Sequence, residues 1–134
     1  MSDWNKKIIE EFRANGGKVG GPFENRTLLL LHTCGAKSGL ERVNPLVCML
    51  DGERYVIIAS KGGAPTHPDW YYNLLANPNV SVEVGVEQFN ARARVCHEPE
   101  RTQLYAQMAV LYPFFAEYER QTKRVIPVIT LSRC

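Results

Sequence analysis

The chain has 134 residues, of which 45% are hydrophobic and 22% are charged. This composition is typical of a globular domain and excludes a disordered chain, collagen and a long coiled coil. Sixteen Lys and Arg against fourteen Asp and Glu give a net charge of only +2, which argues against a nucleic-acid-binding protein. We therefore expect one domain over residues 1–134, long enough to bury a core.

The sequence lacks the marks of a membrane span, a secretory signal or a metal site. Its apolar runs, such as 28–31, are far below the roughly 18 residues that a spanning helix needs. We expect a cytoplasmic protein, with peripheral contact at the inner face of the membrane as a further option. The four cysteines form no Cys-x-x-Cys pair, so we expect small buried thiols rather than a zinc or redox motif.

The first predicted element is a short N-terminal helix. Trp4, Ile8 and Phe12 recur at every fourth position and would share one face of a helix over 3–14. The glycines that follow indicate a loop. We therefore interpret 1–20 as an N-terminal helix and loop that precede the body of the domain.

The rest of the chain combines short strands with three more helices. Predicted strands cover 27–33, 43–50, 54–59, 80–84, 87–96 and 125–131. Predicted helices cover 67–76, 99–107 or beyond, and 116–122. Asp51-Gly52 is a hairpin signal, and Pro45 inside an apolar run indicates a strand edge or a bulge. Antiparallel strands joined by tight turns favour a mainly β fold (α+β), built as a barrel or a sandwich.

One candidate site is the loop after the first strand. It contains Gly35, Lys37 and Ser38 and is followed by Arg42, but it lacks the spacing of a Walker phosphate loop. Glycine lets backbone N–H groups approach an anion, and arginine can bind two phosphate oxygens at once. The loop therefore indicates an anion site, with a plain hairpin carrying solvated cations as the alternative.

A second candidate lies in 59–68, between a strand and a helix. This connection is longer than such a pair of elements needs. Lys61 beside two glycines suits a phosphate, and the run Gly63-Ala64-Pro65 offers a smooth surface to a flat ring. A long turn shaped by glycine and proline is the alternative.

Aromatic residues cluster in two places. Residues 70–72 are Trp, Tyr and Tyr, and neighbours on a helix cannot all face the core. Tyr112 and Tyr118 flank two phenylalanines and either pack in the core or line a pocket.

No HExxH, nucleophile elbow or GxGxxG motif is present. A cofactor that performs the chemistry itself would reconcile two anion loops with the missing catalytic triad.

Three segments carry a family resemblance. Within 28–46 the chain reads Leu-Leu-Leu-x-Thr-x-Gly-x-Lys-Ser-Gly-x-x-Arg-x-x-Pro-Leu. Residues 59–78 read Ala-Ser-Lys-Gly-Gly-Ala-Pro-x-His-Pro-x-Trp-Tyr-x-Asn-Leu-x-Ala-Asn-Pro, and 111–128 read Leu-Tyr-Pro-x-Phe-x-x-Tyr-x-x-x-Thr-x-Arg-x-Ile-Pro-Val. In this order the segments resemble the deazaflavin-dependent nitroreductase family of actinobacteria, whose members are F420-dependent quinone reductases.

The resemblance implies a split β-barrel related to FMN-binding flavoproteins. It implies an oxidoreductase that passes a hydride from reduced coenzyme F420, with FMN the less favoured cofactor, to a quinone or a similar flat electrophile such as an activated enone or nitro compound. The implied ligands of the phosphate and acidic tail are Lys37, Arg42 and Lys61, with nearby hydrogen bonds from Thr33, Gly35, Ser38 and Ser60. The implied contacts of the deazaflavin ring are Pro45, Leu46, Val47, Gly63, Ala64, Pro65 and Trp70.

By the same resemblance, Tyr112, Phe115 and Tyr118 border the acceptor pocket, and the two tyrosines are the candidate catalytic groups. The nitroimidazole-activating relative has tyrosine where this chain has Phe115, and phenylalanine can neither orient nor protonate an acceptor. We therefore expect quinone reduction rather than nitroimidazole activation. The N-terminal helix would cover the acceptor, touch lipid or pack in the core.

Two other functions fit the same residues. One is a split-barrel protein that binds or sequesters the cofactor with little turnover, and the other is an FMN-dependent reductase. The expected partner is a small-molecule, quinone-like acceptor rather than a nucleic acid. The chain is expected to be a monomer or a homodimer.

Overall fold

The computed structural model describes residues 3–134, except the side chain of Pro22, and this part of the chain forms seven strands, four α-helices and two short 3-10 helices, Gly21–Phe23 and Lys61–Gly63. The strands are β1 (Leu28–Cys34), β2 (Glu41–Val47), β3 (Met49–Asp51), β4 (Arg54–Ile58), β5 (Asn79–Val84), β6 (Glu87–Val95) and β7 (Val128–Arg133). The helices are α1 (Asp3–Ala14), α2 (Asp69–Ala76), α3 (Glu100–Leu111) and α4 (Phe114–Gln121). The strands pair antiparallel in one sheet, in the order β2-β1-β5-β6-β7-β4-β3.

The connection between the two edge strands forces this sheet to curl. β2 and β3 are the edges, yet only Cys48 separates them along the chain. In a flat sheet they would lie about 29 Å apart, because six spacings of about 4.8 Å separate them. Consecutive Cα atoms are only about 3.8 Å apart, so the sheet has to close on itself at this corner. The barrel is split beside β2, whose outer edge pairs with no other strand of residues 3–134.

β1 is covered on both of its faces. Leu29 and Leu31 belong to the barrel core, whereas Leu28 and Leu30 pack against the buried face of α1. All four side chains are at most 3% exposed. Burial on both faces explains why this strand is an unbroken apolar run instead of an alternating one.

Helices cover the barrel in two further places. α2 contributes Trp70 and Leu74 to the barrel core. A separate apolar layer joins α3 and α4 to β4 and β7, with Met108 and Ile126 completely buried within it. Within residues 3–134, the helices lack the combination of length and hydrophobicity that a membrane span requires.

The predicted N-terminal helix is confirmed over Asp3–Ala14. Ile8 and Phe12 are buried, but Trp4 is 57% exposed and stands 6.2 Å from the ring of Phe23. Of the three residues predicted to share one helix face, Ile8 and Phe12 therefore pack in the core. Trp4 lies outside the core.

Three predicted element bounds are wrong, each for a local reason. The strand over 43–50 is two strands, because the chain turns the barrel corner at Cys48. The last strand begins at Val128 instead of 125, since Pro127 has no N–H to donate to a ladder. The last helix begins at Phe114, directly after Pro113, and not at 116. Pro45 lies in the edge strand β2, as its position indicated.

The prediction of buried thiols is right for Cys48 and Cys96 and wrong for Cys34 and Cys134. Cys34 is the last residue of β1, where the hairpin leaves the sheet, and Cys134 follows β7 at the end of the chain. Both are exposed free thiols. Burial raises the pKa of the Cys48 thiol to about 12, so this cysteine stays protonated and unreactive.

Candidate functional site

The loop between β1 and β2 is a closed hairpin. The N–H of Gly35 donates to the carbonyl of Leu40 at 2.8 Å, and the N–H of Gly39 donates to the carbonyl of Gly35 at 2.9 Å. The Ser38 hydroxyl accepts from the N–H of Leu40 at 3.2 Å. A Cβ on Gly35 would stand 2.5 Å from the Ser38 Oγ, so the tight turn itself requires this glycine. The amides of both glycines therefore donate inside the loop.

Asn73 on α2 holds this hairpin in place. Its Oδ1 accepts from the N–H of Ala36 at 2.9 Å, and its Nδ2 donates to the Oγ1 of Thr33 at 3.1 Å. Asn73 is 7% exposed and Thr33 is 3% exposed. Thr33 therefore acts beneath the loop rather than on its surface. The sequence interpretation missed Asn73, although a polar residue three positions after Trp70 on an apolar helix face has to find buried partners.

An open groove of about 850 Å³ lies between the hairpin and α2. The groove is lined by five of the residues assigned to cofactor binding, namely Gly35, Lys37, Ser38, Arg42 and Trp70. Lys37 and Arg42 are exposed, and neither forms a salt bridge within residues 3–134. The groove thus presents two cations whose charge is available to an anionic ligand.

Glu41 and Asp69 also line the groove, but neither forms a salt bridge with Lys37 or Arg42. The Oε1 of Glu41 lies 3.3 Å from the Nδ1 of the buried His32. Asp69 lies in the first turn of α2, where the helix dipole favours a negative charge. Because neither carboxylate forms a salt bridge with Lys37 or Arg42, an incoming anion does not have to displace an internal partner.

The second candidate loop, 59–68, connects β4 to α2 and packs on α4. Lys61, Gly62 and Gly63 all have positive φ, at 49°, 64° and 81°. A Cβ on Gly63 would stand 2.7 Å from the Gln121 Oε1 and 3.2 Å from the Tyr118 Cα. Close packing on α4 therefore explains this glycine without a flat ligand. Ser60, Lys61, Gly63, Ala64 and Pro65 lie outside the lining of the groove.

Arg124 fastens this loop, and the sequence interpretation gave it no role. Its Nη2 donates to the carbonyls of Ser60 at 2.8 Å and Ala59 at 3.2 Å, and its Nε donates to the carbonyl of Ala64 at 2.9 Å. Its Nη1 lies 2.8 Å from the Nδ1 of His67. Its position in the third resembling segment, 111–128, could have indicated this role, because a cation just before a buried strand needs hydrogen-bond partners.

His67 has to be neutral to accept this hydrogen bond from Arg124. Burial lowers the pKa of His67, and the positive charge of Arg124 lowers it further. The ring also lies 4.7 Å from the ring of Tyr71 and 5.8 Å from that of Tyr72. The neutral imidazole is thus part of the attachment of the loop.

Acidification is expected to weaken the folded protein through His67. The unfolded chain takes up this proton near the ordinary pKa of 6.5, whereas the folded chain resists it. The stability contribution is complete above that pH and is lost as the pH falls through the lower folded pKa. Urea unfolding at about pH 7.5 and about pH 5 measures the loss. His67→Gln, which accepts a hydrogen bond without titrating, should lose less; an equal loss in both proteins contradicts the prediction.

The aromatic residues of the third segment form a cluster around α4. The ring of Phe114 stands 4.5 Å from that of Phe115 and 5.4 Å from that of Tyr118. Phe115 is only 3% exposed, so it packs in the core instead of presenting a surface to an acceptor. The rings of Tyr112 and Tyr118 remain partly exposed.

The two tyrosine hydroxyls differ in their engagement. The hydroxyl of Tyr112 accepts from the N–H of Thr27 at 3.1 Å and lies 3.4 Å from the carbonyl of Cys48, to which it donates. These contacts tie α3 to the barrel corner. The hydroxyl of Tyr118 makes no hydrogen bond within residues 3–134. Of the two, Tyr118 is therefore the hydroxyl that can serve a ligand.

β2 cannot present all of its assigned residues to one ring. Leu46 packs on the barrel core, whereas Val47 packs with the apolar layers outside it. Neighbouring side chains on a strand point to opposite faces, so Pro45 and Val47 share one face and Leu46 takes the other. All three residues lie in β2, and the outer edge of this strand pairs with no other strand of residues 3–134.

The pattern of these residues matches a known family over nearly the whole chain. Residues 4–133 fit the family described as F420H(2)-dependent quinone reductase. The chain belongs to this family. A quinone reductase of that description from Mycobacterium tuberculosis is 37% identical over 126 residues, which cover 91% of this chain and 85% of that protein.

Two solved structures of similar sequence agree with this membership. The structure of an F420-H2 dependent reductase (FDR-A) is 40% identical, with a TM-score of 0.72, and covers 78% of this chain and 93% of that chain. A structure described as a domain-swapped dimer is 37% identical, with a TM-score of 0.75 over 97% of this chain and 98% of that chain. The split-barrel fold and F420 as the cofactor of this family are thereby confirmed.

Proposed function

We propose that this member of the F420H(2)-dependent quinone reductase family transfers a hydride from reduced F420 to a quinone. The observation that supports the proposal most directly is the groove between the hairpin and α2, where Lys37 and Arg42 stand without carboxylate partners. Family membership over residues 4–133 supplies the cofactor and the acceptor class.

The groove suits the charge of the cofactor. The tail of F420 carries a phosphate and carboxylates, and the two unpaired cations offer charge-assisted hydrogen bonds to such oxygens. We assign Lys37 and Arg42 to this tail. Lys61, whose Nζ donates to the Thr66 Oγ1 at 3.2 Å, is the third cation that we assign to it. The exposed Ser38 hydroxyl lines the groove and supplies a polar contact, and we assign Ser60, beside Lys61, to the second loop's share of the tail site.

Reduced F420 supplies the hydride when it is bound, so the protein has to bind, orient and exclude water. We assign the ring surface to the outer edge of β2 beside Pro45, with the largely buried Trp70 forming the floor of the groove. Ala64 and Pro65 extend this surface from the second loop. These residues are mostly apolar, which favours a dry site around the reacting atoms.

We assign the acceptor to the aromatic cluster of α4. The Tyr118 hydroxyl makes no hydrogen bond within residues 3–134, so its proton is available. A quinone that has received a hydride needs a proton on its oxygen, and this hydroxyl can donate it. Tyr112 frames the same cluster from its anchored position. A flat quinone would pack against these rings.

Steady-state oxidation of reduced F420 with a panel of quinones tests the proposal. We expect turnover with naphthoquinones such as menadione, and fluorescence titration should show that F420 binds in preference to FMN. Tight binding without turnover would instead identify a protein that stores the cofactor. Binding of FMN alone would contradict the assigned cofactor.

Tyr118→Phe is expected to lower kcat by about 10-fold or more, because it removes the proton donor while preserving the ring. The affinity for F420 should stay within about twofold of wild type, since the hydroxyl is assigned to the acceptor alone. Stopped-flow oxidation of bound reduced F420 and a fluorescence titration measure the two effects. A larger change in affinity than in turnover would remove Tyr118 from the acceptor site.

Tyr112→Phe is the matched control. Its hydroxyl serves Thr27 and Cys48, so its loss should cost about 1 kcal/mol of unfolding free energy, read from urea denaturation.

We assign the peripheral membrane contact to α1. The exposed indole of Trp4 and the exposed Lys6 and Lys7 combine an aromatic group with positive charge, as interfacial helices do. Co-sedimentation with anionic vesicles should weaken in Trp4→Ala.

The oligomeric state is a separate question. Light scattering during gel filtration distinguishes a monomer from a homodimer, and a domain-swapped dimer is described for one relative.

A further inference from the structure

We propose that Arg124 is a positioning residue for cofactor binding, because its guanidinium holds the 59–68 loop in the conformation that presents the exposed Lys61 to the acidic part of F420. This inference rests on the proposed function. It assigns a task to a residue that lies more than fifty positions away in the chain from the loop it holds.

The guanidinium works as a fork that joins both ends of the loop. Nη2 reaches the carbonyls of Ala59 and Ser60, Nε reaches the carbonyl of Ala64, and Nη1 reaches His67. The four acceptors span the loop from Ala59 to His67. A single ammonium cannot reproduce this arrangement, because the five donors of arginine lie in one rigid plane.

The loop needs an external clamp because its own hydrogen bonds are few. The N–H of Gly63 donates to the carbonyl of Ser60 at 3.0 Å, and the N–H of Ala64 donates to the carbonyl of Lys61 at 3.1 Å. Lys61 has a φ of 49°, a left-handed conformation that costs energy in a residue with a Cβ. The surrounding structure has to maintain that conformation, and Arg124 binds the carbonyl directly before it.

Arg124 also keeps its charge available. All of its hydrogen-bond partners are neutral, and it forms no salt bridge within the described part of the chain. A carboxylate partner would cancel the positive potential beside Lys61. The carbonyl dipoles hold the guanidinium without neutralising it, so the loop stays attractive to an anion.

Two substitutions separate positioning from charge. Arg124→Lys keeps the charge and loses the fork, and Arg124→Met keeps part of the apolar stem and loses both. Arg120→Met is the matched control, since Arg120 is an exposed arginine on α4 that pairs with Glu117. Each protein is examined by fluorescence titration with F420, by kcat and KM with reduced F420 and menadione, and by hydrogen–deuterium exchange of 60–64.

We expect Arg124→Lys to weaken F420 binding about 10-fold, with kcat at saturating reduced F420 within about threefold of wild type. Amide exchange should rise in the loop and stay unchanged in the barrel strands. Arg120→Met should match wild type in every readout. A folded Arg124→Lys protein that binds F420 within twofold of wild type would overturn the inference.

Should both Arg124 variants fail to fold, His67→Phe decides, because it removes only one acceptor of the fork. Weaker F420 binding together with faster exchange of 60–64 would support the inference, and unchanged values of both would overturn it. The proposed function fails separately. Wild-type protein that does not bind F420 overturns both, whereas equal binding by wild type and Arg124→Lys overturns only the role of Arg124.

Discussion

Removal of both cations from the groove is expected to weaken F420 binding by roughly 100-fold, or about 2.7 kcal/mol. The double variant is Lys37→Ala with Arg42→Ala. Each side chain is exposed and unpaired, so its charge-assisted hydrogen bonds to the cofactor are lost without a compensating internal contact. Fluorescence titration of F420 gives the dissociation constant, and the binding of the variant should also depend less on salt.

The control for this result removes equal charge elsewhere. Arg120→Ala with Lys123→Ala takes two cations from the α4 side of the molecule, outside the groove. Its F420 affinity should remain within about threefold of wild type, because neither side chain lines the groove. Similar losses in both double variants would mean that net charge, and not the groove, attracts the cofactor.

Gly63→Ala is expected to destabilise the fold by about 3 kcal/mol, the largest effect on stability among the loop substitutions. Two costs combine. A φ of 81° is strained for alanine, and the new Cβ would stand 2.7 Å from the Gln121 Oε1 and 3.2 Å from the Tyr118 Cα. The Gln121 side chain can move, but the backbone atom of Tyr118 cannot rotate away, so the loop has to shift away from α4 by a few tenths of an ångström. Urea unfolding measures the loss, and F420 affinity should fall with it.

Gly62→Ala is the control for the crowding. Gly62 has a φ of 64°, but a Cβ there would meet nothing within 4 Å. The substitution should therefore cost only the backbone strain, about 1 kcal/mol. Equal losses at the two positions would show that conformation alone, and not packing on α4, requires the second glycine.

Local patterns predicted most of the elements because they depend on near neighbours. The alternation over 87–96 places Ala91 and Ala93 in the core and leaves Arg92 and Arg94 exposed, as β6 shows. The spacing of Ile8 and Phe12 likewise predicted the buried face of α1. Prolines account for two of the wrong bounds, whereas the break at Cys48 arises because two edge strands of the sheet meet there.

The candidate site was predicted in parts. The cations of the first loop and Trp70 do share a groove, because β1, β2 and α2 bring them together. The glycine amides of that loop bond to the loop itself, a choice that spacing cannot reveal. Tyr112 and Tyr118 look equivalent in the sequence, yet the partners of the Tyr112 hydroxyl lie on segments far away in the chain.

The sequence by itself determined the family, the mainly antiparallel β architecture and the two basic, glycine-containing loops, because short-range patterns and residue identities carry that information. Only the tertiary structure decided which hydroxyls, amides and cations have internal partners and which are available to a ligand. Asn73 and Arg124 hold the two loops through contacts that span 37 to 65 positions of the chain. Local spacing does not specify such hydrogen bonds, because it is the folded barrel that places these donors and acceptors side by side.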